Sequence, residues 1–236
     1  MLTPKRLRYN FSLPVPMHPD QWRDRWKQNR IGFHEPSVNL YLFRYLPLFN
    51  LDPGDTIFLP LCGKAHDIAW LAQQGFKVVG IEISEIAIES FFSEHSLKYQ
   101  QSESDRFILR RSDNISLIQG DYFELQAQDL SDCKMVYDRA ALIAIDAANR
   151  DRYCAHMLSI IPQCTDQLLI TLDYDQAQMK GPPYAVPETE IGHYYEAEYS
   201  INRLEQNDVL DERPRWREQG LTVLNESVYR LDGKKL

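Results

Sequence analysis

Glu82 combines a residue type and a position that could carry chemistry. It ends FKVVGIE, a predicted strand, and follows Gly63 of the preceding turn by about 20 residues. A carboxylate at a strand end can accept two charge-assisted hydrogen bonds from the vicinal hydroxyls of a ribose. The alternative is a solvated glutamate that only caps the next helix. The strand–turn–helix–strand context favours the ribose site.

The turn LPLCGK (59–64) indicates which ligand this site suits. Dinucleotide sites use G-x-G-x-x-G because a pyrophosphate must approach backbone N–H groups closely. Here Gly63 is the one glycine, and bulky Leu61 and Cys62 stand where the others would be. The turn therefore suits a nucleoside without phosphates, and S-adenosylmethionine fits. Lys64 is expected to be an exposed first-turn residue, because the phosphate-loop pattern GxxxxGK[ST] is missing.

Polar residues also stand at the predicted ends of two other strands. Asp121 follows ISLIQG at the side of the crevice expected to hold adenine, although a simple turn residue is the alternative. Asp138 and Arg139 end CKMVYDR, where doubly wound folds place their reacting groups. For this pair, a surface salt bridge or a helix cap is the alternative.

Three aromatic residues precede the predicted sheet. Trp22 and Trp26 lie one helical turn apart in HPDQWRDRWKQN (18–29), and Phe33 follows in a loop. Their faces could cover a sulfonium or an adenine, because a cation–π contact contributes about 0.5–2 kcal/mol. Packing of both tryptophans on the core is the alternative that the spacing alone favours.

Positioning these residues together requires a doubly wound α/β sheet. Strand-like and helix-like segments alternate after residue 51, which predicts a mostly parallel, seven-stranded, Rossmann-like sheet in one domain, 1–236. Residues 1–50 are predicted to form an N-terminal helical cover and 51–236 the core. The last two strands, in 199–204 and 221–231, are expected to pair as an antiparallel edge hairpin.

Several local signals refine this outline. A second cover helix is predicted over 38–49, and the polar segment 96–114 is predicted to be an excursion with a small hairpin. Gly75 is expected to stop the first helix of the core, and Ser84 to cap the second. The proline-rich segment 178–190 is predicted to be a loop in the position of a lid.

The composition narrows the class of protein. With 44% hydrophobic and 25% charged residues, the chain is typical of soluble globular proteins. A net charge of −8 argues against nucleic acid as a partner, since phosphates require a basic surface. Lys5, Arg6 and Arg8 form a basic cluster, which we interpret as a solvated N-terminal segment and not as a targeting signal. No apolar run approaches the ~20 residues of a membrane span. We expect a cytoplasmic monomer without membrane contact.

Cysteine and histidine spacing argues against a metal. The four cysteines match neither a disulfide framework nor a CxxC site, and the six histidines show neither HxxxH nor HExxH spacing. We therefore expect reduced thiols and no metal ion. Cys62 is expected to be a packing residue and not a covalent carrier.

Several segments together resemble the thiopurine S-methyltransferase family, including its bacterial members. The shared segments are W-x-x-x-W followed by GFH (22–34), PLCGK-x-x-D-x-x-W-L-A-x-x-G (60–75), VVGIEIS (78–84), FF-x-E (91–94), DRAALIAI (138–145), Y-x-Q-x-x-M-x-GPP (174–183) and DER (211–213). They span almost the whole chain, from about residue 20 to about residue 230.

The resemblance implies a class I methyltransferase that uses S-adenosylmethionine and releases S-adenosylhomocysteine. The cofactor-binding residues that it implies are Trp22, Trp26, Phe33, Leu61, Glu82, Asp121, Tyr122 and Arg139. The residues that it implies for the methyl acceptor are Phe33, Arg139, Arg213 and Tyr184. Tyr184 stands where we expect phenylalanine after GPP, which adds a hydroxyl near the acceptor.

The implied acceptors are thiopurines or other aromatic thiols, with selenium or tellurium oxyanions as further acceptors in detoxification. A thiol with a reference pKa of about 8.5 ionises readily, so no strict general base is required. We expect Arg139 and Arg213 to act as the catalytic pair by favouring the thiolate. Two alternatives stay open: a methyl-donor-binding sensor or scaffold without transfer, and an NAD-dependent oxidoreductase, which should carry G-x-G-x-x-G.

Overall fold

A β-sheet with helices on both faces organises the chain, and the computed structural model describes residues 19–235. The strands are β1 (Thr56–Leu59), β2 (Lys77–Glu82), β3 (Gln100–Glu103), β4 (Ile108–Ser112), β5 (Ile115–Gln119), β6 (Cys133–Arg139), β7 (Asp166–Asp173), β8 (Tyr199–Asp208) and β9 (Asn225–Gly233). The α-helices are α1 (Pro19–Lys27), α2 (Leu40–Tyr45), α3 (His66–Gln73), α4 (Glu85–Glu94), α5 (Ala147–Ile160), α6 (Glu188–Tyr195) and α7 (Pro214–Glu218). The basic cluster Lys5, Arg6 and Arg8 lies outside the described residues.

Within residues 19–235, the strand order is β3-β4-β5-β2-β1-β6-β7-β9-β8. The five strands from β5 to β7 in this order are parallel. The strands β9 and β8 pair antiparallel at one edge, which confirms the predicted terminal hairpin. The Rossmann-like α/β class is also confirmed. The count of seven strands needs correction, because β3 and β4 extend the sheet beyond β5 in antiparallel pairings. The sheet is therefore parallel only at its centre.

The segment 96–114 accounts for the two additional strands. The strand β3 is Gln-Gln-Ser-Glu, and all four residues are exposed, so it lacks the apolar alternation by which strands are recognised. A tight turn with Asp113 at φ +45° joins β4 to β5. The predicted excursion is thus part of the sheet, where β3 with β4 and β4 with β5 form two successive hairpins.

The first β–α–β unit follows its sequence signals closely. All four residues of β1 are buried, and α3 buries Ile68 and Leu71, which lie on one helical face. Gly75 ends this helix with a φ of +94°, as predicted for a residue that favours the left-handed region. Ser84 caps α4 by accepting a hydrogen bond from the backbone N–H of Ala87 at 3.3 Å. Both local predictions are confirmed.

Two apolar layers cover the sheet. On one face, α2, α3 and α4 pack buried side chains such as Leu42 and Phe91 against the strands. On the other face, α5 and α6 pack side chains such as Met157 and Ile191. The result is a three-layer arrangement in which the carboxyl ends of the parallel strands open at one edge.

The connections differ from expectation at two places. The predicted helix over 38–49 is shorter, because a 3-10 turn, Leu46–Leu48, follows α2 where Pro47 removes a backbone donor. The predicted proline-rich loop 178–190 ends early, because α6 begins at Glu188, directly after Pro187. The lid-like segment is therefore short and anchored by a helix.

The outer strands of the sheet are β3 and β8, and both are polar. The exposed residues of β8 are Ser200, Asn202, Arg203, Gln206, Asn207 and Asp208. Among residues 19–235, no helix has the length and apolar character needed to cross a bilayer. In the same range, no group of three or more His, Cys, Asp or Glu side chains is arranged to hold a metal ion.

Candidate active site

A cavity of about 1080 Å³ opens at the carboxyl edge of the parallel strands. Its walls come from the turn after β1, the ends of β2, β6 and β7, and the segment from α1 to Glu35. The loop 179–183 and the segment 212–219, which contains α7, complete them. Of the residues expected to be functional, those that line it are Trp22, Trp26, Phe33, Leu61, Glu82, Arg139 and Arg213. The fold thus assembles these side chains, which are far apart in the sequence, around one space.

Glu82 is held rigidly at the floor of this cavity. One carboxylate oxygen accepts a hydrogen bond from the backbone N–H of Gly63 at 2.9 Å, and the other accepts one from Ser84 at 2.8 Å. Burial raises the pKa of Glu82 to about 7, and the hydrogen bonds from backbone N–H groups oppose this rise. A carboxylate has about four acceptor positions, so acceptor capacity is left for hydroxyl donors of a ligand.

The turn after β1 adopts a strained backbone. Leu61 has a φ of +45° although it is not a glycine, and Gly63 has a φ of +54°. A Cβ atom at Gly63 would lie 3.1 Å from Cζ2 of Trp26, so the indole packs directly on the turn. Strain of this kind collects at functional sites, where surrounding packing maintains it. Leu61 therefore adopts a left-handed backbone conformation that is usually left to glycine in tight turns.

Cys62 is a buried packing residue within this turn. Gly80 of β2 leaves room for it, since a Cβ atom there would approach the Cys62 sulfur to 2.7 Å. Burial and the nearby Glu82 carboxylate raise the pKa of the Cys62 thiol. Only the thiolate is nucleophilic, so the thiol is unsuited to act as a covalent carrier.

An aromatic cluster forms the wall contributed by the N-terminal segment. The Phe33 ring meets Trp22 edge-on at a centroid distance of 5.6 Å and Trp26 at 5.5 Å. Trp26 is buried, and Trp22 is partly exposed. The sequence left two roles open for the tryptophans, packing on the core or covering a ligand. Trp26 is compatible with both, because it is buried against the protein and also lines the cavity. The cluster can exclude water and present π-faces to a cation.

Two arginines in the lining of the cavity meet at a single carboxylate. Nη2 of Arg139 lies 3.0 Å from Oε1 of Glu35, and Nη2 of Arg213 donates a hydrogen bond to the same oxygen at 2.9 Å. Nη1 of Arg139 also donates to the carbonyl oxygen of Phe33 at 3.2 Å. These contacts tie the N-terminal segment to the end of β6 and to the C-terminal segment.

Further acids lie near the arginines. Asp67, in the first turn of α3, is buried and accepts a hydrogen bond from the backbone N–H of Asn39 at 2.8 Å. Burial raises its pKa, and the Arg139 charge acts in the opposite direction. Burial also raises the pKa of Glu226 in β9, against the charges of Arg213 and Arg139. Both acids line the cavity.

Asp138, the neighbour of Arg139, has a structural role. It is fully buried, accepts a hydrogen bond from the hydroxyl of Tyr153 at 2.7 Å, and accepts another from the backbone N–H of Leu142 at 3.0 Å. Burial raises its pKa to about 6. Asp138 is thus fixed inside the protein by two hydrogen bonds and is neither a surface salt bridge nor the N-cap of a helix, whereas Arg139 lines the cavity.

Three other expected site residues lie elsewhere. Asp121 follows β5 at the same sheet edge, but its side chain accepts a hydrogen bond from the backbone N–H of Phe123 at 2.9 Å. Tyr122 is buried below α5, where its ring stacks on Tyr153 at 4.8 Å. Tyr184 packs over Gly181, the start of the Gly-Pro-Pro segment. Ligand contact by these three residues stays a prediction.

Lys64 differs from its prediction as an exposed residue. Its side chain is 13% exposed, and its ammonium pairs with Glu94 at the end of α4 at 2.5 Å.

Sequence reasoning missed the cavity-lining acids Glu35, Asp67 and Glu226. Two of these carried a signal: Glu35 lies two residues after Phe33, and Asp67 is the acid of the shared segment PLCGK-x-x-D.

The residues present fit a nucleoside that carries a cationic sulfur. The fixed Glu82 carboxylate suits the ribose diol, and the aromatic cluster suits a cation next to a flat base. The Arg139–Arg213 pair supplies several N–H donors and positive charge for an anionic sulfur. The arrangement has the groups required to hold a methyl donor and a thiol acceptor in one cavity.

Comparison with known proteins agrees with this chemistry. The family model for thiopurine S-methyltransferase matches residues 17–234. A protein from Pseudomonas aeruginosa (strain LESB58) named thiopurine S-methyltransferase is 45% identical over 216 residues, which cover 92% of this chain and 99% of that protein. A protein of the same name from Azotobacter vinelandii is 44% identical over 216 residues, with the same coverage.

Solved structures show the same fold at low sequence identity. The chain superposes on a Haemonchus contortus phosphoethanolamine N-methyltransferase 2 complex with S-adenosylhomocysteine, with a TM-score of 0.67 and 11% identity, over 94% of this chain and 62% of that one. It also superposes on an S-adenosylmethionine-dependent methyltransferase from Anabaena variabilis, with a TM-score of 0.60 and 15% identity, over 92% and 95%. At sequence identities of 11% and 15%, these superpositions show a shared fold and nothing further about function.

Proposed function

Because this chain belongs to the thiopurine S-methyltransferase family, we propose that it methylates the sulfur of thiopurines or other aromatic thiols. As a member of that family, it is a methyltransferase that uses S-adenosylmethionine. What we propose beyond family membership is the class of methyl acceptor. Selenium and tellurium oxyanions are included as further acceptors, because they too are anionic species that a pair of arginines can hold.

The observation that carries the proposal is the pairing of two unlike sites in one cavity. Glu82, with two backbone contacts, ends β2, and Arg139 ends β6, with β1 between these strands. Both residues line the same cavity as Arg213. An acidic residue binds a ribose, and arginines bind an anion. A thiolate next to a nucleoside methyl donor satisfies both requirements.

When bound, the donor supplies a methyl group on a cationic sulfur. Around it, Glu82 accepts hydrogen bonds from the ribose, and the cluster of Trp22, Trp26 and Phe33 excludes water. Arg139 and Arg213 lower the pKa of the acceptor thiol by favouring its charged form. Since the thiol proton can leave to solvent, this chain's residues mainly align and desolvate the reactants.

A methyl-transfer assay with matched acceptors tests the proposal. Benzenethiols and 6-mercaptopurine should be methylated, whereas phenols of the same shape should not, because a phenol with a pKa of about 10 ionises less readily. Selenite and tellurite form separate arms of the assay. If the chain binds S-adenosylmethionine by isothermal titration but methylates none of these acceptors, the sensor alternative is preferred. Tight binding of NAD would contradict the assignment altogether.

A further inference from the structure

His34 is the one histidine that lines the cavity among the five that the structure describes. It stands between Phe33 of the aromatic cluster and Glu35, the shared partner of the two arginines. A turn holds it in place, in which the backbone N–H of His34 donates a hydrogen bond to the carbonyl oxygen of Ile31 at 2.8 Å. A titratable ring is thus placed beside the residues assigned to the acceptor.

The fold does not use the ring nitrogens of His34. By contrast, a ring nitrogen of His156 bonds to the carbonyl oxygen of Tyr122 at 3.0 Å. The ring of His193 bonds to the carboxylate of Asp151 at 3.2 Å. Among residues 19–235, no side chain or backbone group forms such a bond with the His34 ring, which is partly exposed. His34 therefore has a lone pair available to a ligand and access to solvent.

Charged and aromatic groups from four other elements surround this ring. His66, in the first turn of α3, packs against it at a centroid distance of 5.3 Å. Lys64 of the turn after β1, Glu94 at the end of α4 and Arg139 at the end of β6 act on it through their charges. Burial lowers the pKa of His34 most, the charges of Lys64, His66 and Arg139 lower it further, and Glu94 opposes them. The imidazole is therefore neutral at pH 7 and able to accept a proton.

We propose that His34 accepts the proton of acceptor thiols that reach the cavity un-ionised. The proposal deepens the proposed function and rests on it, because that function places a thiol beside Phe33 and the two arginines. An acceptor that is already ionised needs no base, in line with the expectation from the sequence. A thiol whose pKa lies above the working pH arrives with its proton, and His34 is then the first acceptor of that proton on its way to solvent.

The step balances in atoms and electrons. The S–H bond of the acceptor breaks, its proton forms an N–H bond on the imidazole, and its electron pair stays on sulfur. That pair forms the bond to the methyl carbon, while the pair of the breaking C–S bond goes to the sulfur of the donor. Once the acceptor is a neutral thioether, the charges of Lys64 and Arg139 repel the imidazolium, which releases its proton to solvent.

Two thiols of different acidity test this role, with the methyl donor at a saturating concentration. 4-Nitrobenzenethiol is ionised at pH 7 and above, whereas phenylmethanethiol has the ordinary acidity of a thiol, with a pKa no lower than about 8.5. In the natural chain, kcat/KM for phenylmethanethiol divided by that for 4-nitrobenzenethiol should be nearly level from pH 7 to pH 8. In His34→Gln this ratio should be about a hundredfold lower at pH 7 and should rise about tenfold by pH 8, because the thiol then has to ionise in solution.

Two further variants serve as controls. His193→Gln removes an exposed histidine of α6, outside the cavity, and should change neither the ratio nor its pH profile. Added imidazole should restore the methylation of phenylmethanethiol in His34→Ala, because it replaces the missing proton acceptor. It should not raise the rate with 4-nitrobenzenethiol, which has no proton to lose.

A purely structural role gives a different result. If His34 only packs against His66, His34→Gln lowers kcat/KM for both thiols equally and keeps the level profile, and the proposal is overturned. Should His34→Gln fail to fold, the natural chain decides: a level ratio supports the proposal, and a tenfold rise from pH 7 to pH 8 overturns it. Methylation of 4-nitrobenzenethiol requires no base, so a natural chain that leaves this thiol unmethylated contradicts the proposed function itself, and the role of His34 falls with it.

Discussion

The backbone N–H of Gly63 donates a hydrogen bond to the carboxylate of Glu82 at 2.9 Å, across 19 positions of sequence. The contact joins the turn after β1 to the end of β2 and fixes the position of the carboxylate. Because the second oxygen is held by Ser84, the side chain has little freedom left to lose when a ligand binds. A prearranged acceptor of this kind is expected to contribute strongly to nucleoside affinity.

Replacing Glu82 by glutamine should weaken the binding of S-adenosylhomocysteine by about tenfold to a hundredfold. An amide has only one oxygen, so a backbone N–H and at least one ribose hydroxyl lose a charged acceptor, at about 1.5–3 kcal/mol. Isothermal titration measures the effect. Glu103→Gln, on exposed β3, serves as the control. Equal affinities for the natural chain and Glu82→Gln would exclude the ribose role.

The affinity for S-adenosylhomocysteine should rise with pH. Burial raises the pKa of Glu82 to about 7, and the ionised form is the better acceptor for hydroxyl donors. The ionised fraction grows from roughly one tenth at pH 6 to roughly nine tenths at pH 8, so affinity should increase by up to about tenfold. Titration at several pH values measures it. A profile that is the same in Glu82→Gln would assign the pH dependence to another group.

Asp138 should make the unfolding free energy depend on pH. Its pKa is raised to about 6 by burial, so the folded state binds the proton more tightly than the unfolded state. The stabilisation is present below pH 4 and is lost as the pH rises through 6, by at most about 3 kcal/mol. Urea unfolding from pH 4 to pH 7 should show a smaller decline in Asp138→Asn. Parallel curves for both proteins would contradict this assignment.

Gly63→Ala should reduce both stability and nucleoside affinity. The left-handed backbone at Gly63 costs about 1–2 kcal/mol for an L side chain, and the added Cβ would press on Trp26. Gly54→Ala separates the two effects, because Gly54 also has a positive φ but nothing lies within 4 Å of its Cβ position. Thermal unfolding and tryptophan fluorescence should change more in Gly63→Ala. Identical results for both variants would show that contact with Trp26 is unimportant.

Arg139→Lys and Arg213→Lys should each lower kcat/KM for an aromatic thiol by about tenfold or more. A lysine keeps the charge but cannot contact two partners with a planar fork, as Arg139 does with Glu35 and Phe33. Arg217→Lys is the control, because Arg217 is exposed in α7 and is not among the residues that line the cavity. Rates equal to those of the natural chain would remove both arginines from the acceptor site.

The sequence predicted those parts of the structure that depend on residues close together in the chain. The strand of β1, the stop at Gly75, the cap at Ser84 and the position of Glu82 all follow from local spacing and residue type. Each is decided by steric or hydrogen-bonding preferences within a few residues. The family resemblance added the aromatic wall, which spacing alone had assigned to the core.

Longer-range relationships were out of reach. Glu35 meets Arg213 across 178 positions, and this contact depends on how the C-terminal segment returns to the cavity. Tyr122 stands at the expected sheet edge, but the 3-10 turn Tyr122–Glu124 directs its ring below α5. The direction of a side chain after a strand is set by such turns, which the sequence marks only weakly.

The polar outer strands have a consequence for behaviour in concentrated solution. A sheet edge offers unpaired backbone groups that can recruit a strand from another molecule. Without β3 and β4, this edge would be β5, whose Ile115, Leu117 and Ile118 are buried apolar residues. Adding a strand to β3 or β8 would instead require their charged and amide side chains to be desolvated. The segment 96–114, which was predicted to be an excursion, therefore covers an apolar strand that would otherwise form the edge of the sheet.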